Sequence, residues 1–262
     1  EEATEELQEE KDRYQDLRQE ELLFRMKDEI TAFLEKQRPI TEATKQFQKS
    51  SKNGRLSRPV RRKVNGLGEE EQSLAGKIEF LVTALTEEGN LVYRSVLNAN
   101  LEDLREVARR LAGRAPDIGS FTTLLQDDVE RRSVQLLEAL EREMKRREEE
   151  RQEKQEQEQQ EQQQQQSENK FSEQRKMLVS LIADLEMLKS LGGDTKEAME
   201  NLKVLVEVRG DESISEAEVA MIQRLAHRHN EITKLFEQIK AGVEEAMGAQ
   251  GGGEEEEGGS GR

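Results

Sequence analysis

Residues 121–170, FTTLLQDDVERRSVQLLEALEREMKRREEERQEKQEQEQQEQQQQQSENK, decide the fold, because the stretch changes character halfway along. Its first half carries apolar residues at four- and seven-residue steps, the pattern of a helix that packs on a partner: Phe121, Leu125, Val129, Leu136, Leu140 and Met144. Residues 145–170 contain no apolar residue but are rich in helix-forming Glu, Gln, Lys and Arg. We therefore predict a bundle helix that continues as an exposed polar rod, with residues 162–166, a pure Gln run, as its weakest point. A disordered tract over residues 152–166 is the alternative that stays open.

The composition predicts an all-α protein, an elongated antiparallel bundle of coiled-coil helices. Only 33% of the 262 residues are hydrophobic and 3% aromatic, whereas a compact domain carries about 45–50% apolar residues. Such a chain can fill narrow seams between helices but not a wide core. Its net charge of −16 argues against nucleic acid as a partner. The absence of Cys excludes disulfides and a thiol nucleophile, and no apolar run is long enough to cross a bilayer.

Heptad spacing predicts the first helix within residues 1–50. Its seam alternates steps of three and four: Leu23, Met26, Ile30, Phe33, Gln37, Ile40, Thr44 and Phe47. The first 20 residues are out of phase with this seam, so we expect an exposed extension there. Helices are also predicted over residues 69–88 and 91–111, and Ser120 is a candidate N-cap for the next helix. Because the expected connections, 53–66, 89–90 and 113–119, are short, the helices should pack as antiparallel neighbours.

Three further helical segments follow the rod and predict a small C-terminal bundle. The first has a seam that we expect to stop at Gly192 and Gly193: Phe171, Leu178, Leu181, Leu185 and Leu188. A shorter helix through Met199, Leu202, Leu205 and Val206 is expected next, ending at Gly210. The last begins with a capping box at Ser215 and Glu218. Its seam is the most regular in the chain: Ile222, Leu225, His229, Ile232, Phe236 and Ile239. His229 is interpreted as a packed polar residue that sets the pairing of helices, and the glycine-rich acidic tail from Gly248 is predicted to be disordered.

These boundaries define four predicted regions. The N-terminal bundle occupies residues 1–144, the polar rod 145–170, the C-terminal helical bundle 171–247 and the acidic glycine tail 248–262.

A basic segment interrupts this acidic chain at the corner between the first two helices. No Asp or Glu occurs over residues 43–68, while eight cationic residues lie there: Lys45, Lys49, Lys52, Arg55, Arg58, Arg61, Arg62 and Lys63. Such a segment can bind anionic lipid headgroups, a polyanion or an acidic protein segment. It can also be the solvated corner of a highly charged protein, and both interpretations stay open.

The residues that carry most catalytic chemistry are sparse or badly placed. The two histidines, His227 and His229, lie about 200° apart on a helix, so they cannot bind one metal ion from one face. Gly66 and Gly68 lack the lysine and the preceding strand of a phosphate-binding loop. The carboxylates fall on solvated helical faces. We therefore predict no catalytic, cofactor or metal site, and a protein that is not an enzyme.

Several stretches resemble uncharacterised helical envelope proteins of planctomycete-type bacteria, which are encoded beside proton-channel proteins of the TolQ/ExbB and ExbD kind. The residues that carry the resemblance are VLNANLEDL at 96–104 with RRL at 109–111, LLEAL at 136–140, LIADLEML at 181–188, and RLAHRH at 224–229 with Glu231 and Ile232. Gly192, Gly193, Asp194 and Thr195 depart from the family's usual continuation.

The resemblance implies a periplasmic or cell-envelope protein whose signal peptide has been removed, which fits Glu1 as the first residue. It also implies a non-enzymatic scaffold or spacer that works with a proton-driven TolQ/ExbB-type membrane complex. Two alternatives stay open. One is a cytoplasmic protein that forms homo-oligomers through its coiled-coil seams, and the other is a peripheral protein that binds anionic membranes through the basic segment at residues 45–63.

Overall fold

The computed structural model describes residues 2–51, 56–87, 90–161, 180–209 and 216–251. Within these ranges the protein is all-α and has no strand, as the composition predicts. The six helices are α1 (Glu2–Ser50), α2 (Arg58–Glu87), α3 (Leu91–Leu111), α4 (Ser120–Glu161), α5 (Leu181–Arg209) and α6 (Glu216–Gly251). No helix of the described ranges has both the length and the apolar character that crossing a bilayer requires.

The chain forms two compact units, Glu1–Met187 and Leu188–Arg262. The first unit holds α1 to α4 and the first turns of α5. The second holds the rest of α5 and all of α6. The predicted domain limits at residues 144, 170 and 247 remain predictions.

Helices α1 to α4 form an antiparallel four-helix bundle, with each helix next to its neighbours in the chain and α4 packed on α1. Two pairings show that α1 and α4 run in opposite directions, because Lys45 near the end of α1 binds Asp127 near the start of α4, whereas Lys27 earlier in α1 binds Glu141 later in α4. The same reversal relates α2 to α3. Arg61 lies at the end of α3, where its guanidinium donates to the carbonyl of Arg114. The predicted antiparallel bundle is therefore confirmed for this unit.

The α1 seam is confirmed, including its polar members. Seven of its eight residues are buried, Gln37 and Thr44 among them, and the last, Phe47, is half-buried. The expected exposed extension at residues 1–20 needs correction at its end, since Gln19 is buried and Arg147 of α4 donates to its side chain at 3.3 Å. Polar contacts between α1 and α4 thus continue past the end of the apolar seam.

Helix α2 begins earlier than the expected connection at residues 53–66 allows, so that prediction was wrong. Pro59 lies in the first turn, where its missing N–H costs nothing, and the backbone N–H of Arg61 donates to the carbonyl of Ser57 at 2.9 Å. Gly68 is needed inside the helix, because a Cβ there would lie 3.2 Å from both the Ala108 carbonyl oxygen and the Leu111 Cβ. The glycine lets α2 approach the end of α3.

The other helix limits of the bundle match the sequence pattern closely. The side chain of Asn90 caps α3 by accepting from the N–H of Tyr93 at 2.9 Å. Helix α3 stops at Leu111, and Gly113 follows with a φ of +96°. Helix α4 begins at Ser120, but the carbonyl of Gly119 already accepts from the backbone N–H groups of Thr122 and Thr123, so the cap position is one residue earlier than predicted.

The polar rod is helical over residues 145–161, where α4 simply continues past Met144. We had expected the whole rod to be surrounded by water, but its first residues contact α1. Arg151 forms an ion pair with Glu20 of α1 at 2.5 Å, and Arg147 reaches Gln19 of α1. Polar side chains of α1, Gln19 and Glu20, therefore replace the apolar partner there. The rest of the predicted rod, residues 162–170, lies outside the described residues.

Two predictions for the C-terminal region were wrong. Helix α5 runs through Gly192 and Gly193 without a break, so the shorter helix predicted over residues 199–206 is part of α5 and not a separate element. Interior glycines cost a helix about 1 kcal/mol each. Buried side chains at Leu188, Leu191 and Thr195 flank them on one helical face, which offsets that cost. Helix α6 reaches Gly251, so residues 248–251 are helical rather than disordered. The predicted capping residue Ser215, the seam residues 171 and 178, and the tail at 252–262 lie outside the described residues.

Candidate interaction sites

The residues of the basic segment fall into two groups in the structure, those that bind another part of the bundle and those that are exposed. The ammonium of Lys45 binds the carboxylate of Asp127 at 2.6 Å, and Arg61 donates to the carbonyl of Arg114 at 3.2 Å. Lys52 and Arg55 lie outside the described residues. The other predicted residues, Lys49, Arg58, Arg62 and Lys63, are exposed.

The fold adds one cation to the exposed group. Because Arg61 donates to the carbonyl of Arg114, the exposed Arg114 lies at the start of α2. Asn65 reinforces this approach by donating to the carbonyl of Gly113 at 3.1 Å. We call the resulting surface the cationic end: Lys49, Arg58, Arg62, Lys63 and Arg114. Among the described residues, none of these five side chains takes part in an ion pair.

Acidic groups near the cationic end already have partners of their own. Asp117 binds Arg110 at 2.6 Å, and Asp127 binds Lys45. Asp128 binds Arg131 at 2.5 Å. Helix α4 therefore supplies carboxylates to this end of the bundle, but they leave the five cations of the cationic end uncompensated.

A small apolar core lies beneath the cationic end. Its buried members come from α2, α3, α4 and the α3–α4 connection: Val64, Val107, Leu111, Ile118 and Leu125. Half-buried apolar residues surround it: Phe47, Leu56, Val60, Leu67 and Phe121. The guanidinium of Arg110 covers the ring of Phe121 at 4.5 Å. Cations and partly exposed apolar side chains thus share this end of the bundle.

The predicted seam of α6 is mostly uncovered. Leu225 is buried, but Ile222 and Phe236 are 41% and 49% exposed. Ile232 and Ile239 are half-buried. His229 is exposed in the single chain, so its interpretation as a packed residue stays a prediction. The buried face of α6 does not coincide with the predicted seam. It includes Leu225 and Leu235, and Leu235 lies about 80° from Leu225 around the helix.

Three clusters of buried polar groups inside the first unit were missed in the sequence. The first, which we call the Glu71 layer, joins α1, α2 and α4. One carboxylate oxygen of Glu71 accepts from the amides of Gln37 at 2.9 Å and Gln126 at 2.7 Å. Gln126 also approaches the hydroxyl of Thr44 at 3.2 Å. All four side chains are fully buried.

The Glu71 carboxyl has amide donors but, among the residues that the structure describes, lacks a cationic partner. Burial raises the pKa of Glu71 from 4.5 to about 7, against the opposing effect of the hydrogen bonds from Gln126 and Gln37. The charges that act on it come from Glu130 and Glu70, and both raise the pKa further. Among the described residues, its Oε2 and the Oε1 atoms of both glutamines have no donor. A proton on Glu71 supplies a donor to a layer that has an excess of acceptors.

The second cluster, the Asp103 layer, joins α3 to α4 around a buried ion pair. The guanidinium of Arg132 binds the carboxylate of Asp103, and both side chains are at most 4% exposed. Arg132 also donates to the amide oxygen of Asn100 at 2.7 Å. The amide nitrogen of Asn100 donates to the hydroxyl of Ser133 at 3.0 Å. Here the buried carboxylate is neutralised within the layer.

The third cluster, the Asp184 layer, attaches the first turns of α5 to α3 and α4. Ser180 caps α5 by accepting from the N–H of Ala183 at 3.1 Å, and its hydroxyl donates to Glu143 at 3.0 Å. Burial raises the pKa of Asp184 from 3.8 to about 7, although a hydrogen bond from Asn90 opposes this and the charge of Glu143 adds to it. Burial also raises the pKa of Tyr93, and the charges of Asp184 and Glu143 raise it further.

The sequence contained a signal for the Glu71 layer. Extending the α2 seam of Leu74, Ile78, Leu81 and Leu85 back by one step of three reaches residue 71. The buried Gln37 was already placed in the α1 seam. What the pattern could not show was that the two polar residues meet, since that depends on the register of α1 against α2.

The arrangement of buried carboxyls can bind and release protons. Within the described ranges, no group of three His, Asp or Glu side chains could hold a metal ion. Gly66 and Gly68 lie inside α2 rather than in a loop. Comparison of the chain with known protein families, with curated proteins and with solved structures found no match.

Proposed function

We propose that this protein is a non-enzymatic helical scaffold that holds protein partners at fixed positions along its helices. The observation that carries the proposal is the set of buried polar layers in the first unit. Polar groups in a helical core cost stability but define one register, since any shift leaves buried donors and acceptors unpaired. A fixed register along helices of 49, 30, 21 and 42 residues suits a protein that positions other molecules.

The resemblance to envelope proteins encoded beside TolQ/ExbB and ExbD channels supplies the partner and the compartment of this proposal. In it, the scaffold works in the periplasm with a proton-driven inner-membrane complex. The helical continuation of α4 to Glu161 supports a spacer role, because its last 17 residues, 145–161, span about 26 Å.

Co-purification from native membranes tests this partner. We expect a channel protein of this kind to be recovered with the tagged full-length chain after mild detergent extraction. A matched variant with the layers disrupted, Glu71→Leu with Arg132→Leu, should recover less of it. Recovery of no channel protein would overturn the envelope proposal, and equal recovery with the variant would remove the role of the layers.

A second candidate is self-association through α6, which the exposure of Ile222 and Phe236 favours. In this proposal the α6 seams of two chains cover one another. Replacing both residues with Glu should lower the mass measured by analytical ultracentrifugation to that of one chain. The variant Gln223→Glu with Gln238→Glu adds the same charge at two exposed positions of α6 and should leave the mass unchanged. A single-chain mass for the unaltered protein would eliminate this candidate.

A further inference from the structure

The cationic end differs from the rest of the charged surface because five cations cluster there without a carboxylate partner among the described residues. Elsewhere in the bundle, exposed Arg and Lys are commonly paired, as Arg105 is with Glu79 at 2.8 Å and Lys27 with Glu141 at 3.4 Å. At the cationic end, Lys49, Arg58, Arg62, Lys63 and Arg114 remain unpaired among the described residues. A protein of net charge −16 therefore exposes a local positive surface.

The nearest acidic residues along α2 are too far away to cancel this surface. Glu69 and Glu70 are the first acidic residues after the basic segment, and Glu69 is two turns, or about 10 Å, further along α2 than Arg62. That distance is about one Debye length at physiological ionic strength, so the interaction between exposed groups is largely screened. The positive surface is therefore available to an anionic partner.

We propose that the cationic end docks on the anionic headgroups of a lipid surface, a role beyond that of a scaffold. Five cations of the described residues lie there. Clusters of about four to eight Lys and Arg residues are typical of proteins that bind anionic membranes.

The distribution of the cations favours a lipid surface over an acidic polypeptide. They come from three separate segments, namely the end of α1, the start of α2 and the α3–α4 connection. Lipid headgroups can rearrange to meet charges spread over such a surface, whereas a peptide needs a defined line of contacts. Half-buried Phe47 and Leu56 lie beside the cations and provide apolar contacts for the headgroup region.

Vesicle co-sedimentation of the full-length chain tests the proposal. We expect binding to vesicles of phosphatidylglycerol mixed with phosphatidylcholine, release at high salt, and no binding to phosphatidylcholine alone. The variant Arg62→Gln, Lys63→Gln, Arg114→Gln should bind about a hundredfold more weakly, because each cation contributes about fivefold, or about 1 kcal/mol. These three exposed side chains have no ion pair within the described ranges, so the variant should keep its helical circular dichroism.

The control variant Lys11→Gln, Arg38→Gln, Lys189→Gln has the same net charge and changes exposed cations outside the cationic end. It should bind the anionic vesicles as the unaltered chain does. Equal weakening by the control would overturn the proposal, since only total charge would then matter. Failure to bind anionic vesicles would also overturn it, and so would binding to polyglutamate without binding to vesicles, which would identify an acidic polypeptide as the partner.

Discussion

Asp103 and Glu71 are both buried carboxyls within one helical bundle, but the neighbouring helices supply them with different partners. Asp103 of α3 meets the guanidinium of Arg132 from α4. Within the described part of the chain, Glu71 of α2 is bound by the neutral amides of Gln37 from α1 and Gln126 from α4 and by no cation. The first layer holds a charge by pairing it, whereas the second lowers the cost of burial by holding a proton near neutral pH.

This difference gives the two layers different sensitivities. Breaking the ion pair leaves a buried charge uncompensated at any pH at which Asp103 is ionised. The Glu71 layer instead responds to pH itself. Because the pKa of Glu71 is raised in the folded protein, its contribution to stability is fully present below about pH 4.5 and is lost as the pH rises through about 7.

The largest expected effect comes from Arg132→Leu, which removes the guanidinium and leaves Asp103 buried without a cation. We expect the free energy of unfolding to fall by about 3–5 kcal/mol in urea titrations at neutral pH. The double variant Arg132→Leu with Asp103→Leu removes both charges and should recover most of the loss. If the double variant is as unstable as the single one, packing rather than the uncompensated charge explains the effect.

Glu71→Gln should raise the free energy of unfolding at alkaline pH, whereas Arg132→Leu lowers it. A glutamine keeps the acceptor for Gln37 and Gln126, and its Nε2 adds a donor where the carboxylate has none. Moving a pKa from 4.5 to about 7 corresponds to about 3 kcal/mol, so the variant should gain up to that amount relative to the unaltered protein above pH 8.

Urea titrations from pH 4 to pH 8 measure this effect. The unaltered bundle should lose stability as the pH rises, and the slope should be much flatter in Glu71→Gln. Glu70→Gln, at the adjacent exposed position, is the matched control and should keep most of the slope. An unchanged slope in Glu71→Gln would mean that Glu71 is ionised at neutral pH.

Asp184→Asn tests the comparison at a site that attaches only the first turns of α5 to the bundle. Asp184 resembles Glu71 in having an amide partner, Asn90, and a raised pKa. Because the first turns of α5 can detach while α1 to α4 stay folded, we expect at most about 1 kcal/mol in global stability. Hydrogen exchange at residues 183–187 should be slower in the variant at pH 8 and similar at pH 4. Equal exchange at pH 8 would contradict a proton-dependent attachment.

The smallest effect is expected at the exposed pair of Arg105 and Glu79, whose side chains are about half exposed. Arg105→Gln should change the free energy of unfolding by less than about 1 kcal/mol, because water screens this pair. Thermal or urea unfolding checks this prediction. A loss as large as that in Arg132→Leu would show that burial is not what separates the two classes of ion pair.

The helices could be predicted from the sequence where apolar spacing was regular, and the layers could not. The α1 seam even identified Gln37 and Thr44 as buried, because they occupy heptad positions between apolar residues. Arg132 escaped notice since charged residues surround it in the sequence, and its burial depends on where Asp103 of α3 lies. Gly192 and Gly193 were misjudged because local helix propensity was given more weight than the buried face on either side of them.

A carbon-13 NMR titration of the Glu71 side-chain carboxyl tests most directly the claim that the Glu71 layer holds a proton in place of an ion pair. The account predicts a midpoint of about pH 7 for this carboxyl in the folded protein. A midpoint near the ordinary value of 4.5 would contradict it, because Glu71 would then be an unpaired buried anion at neutral pH.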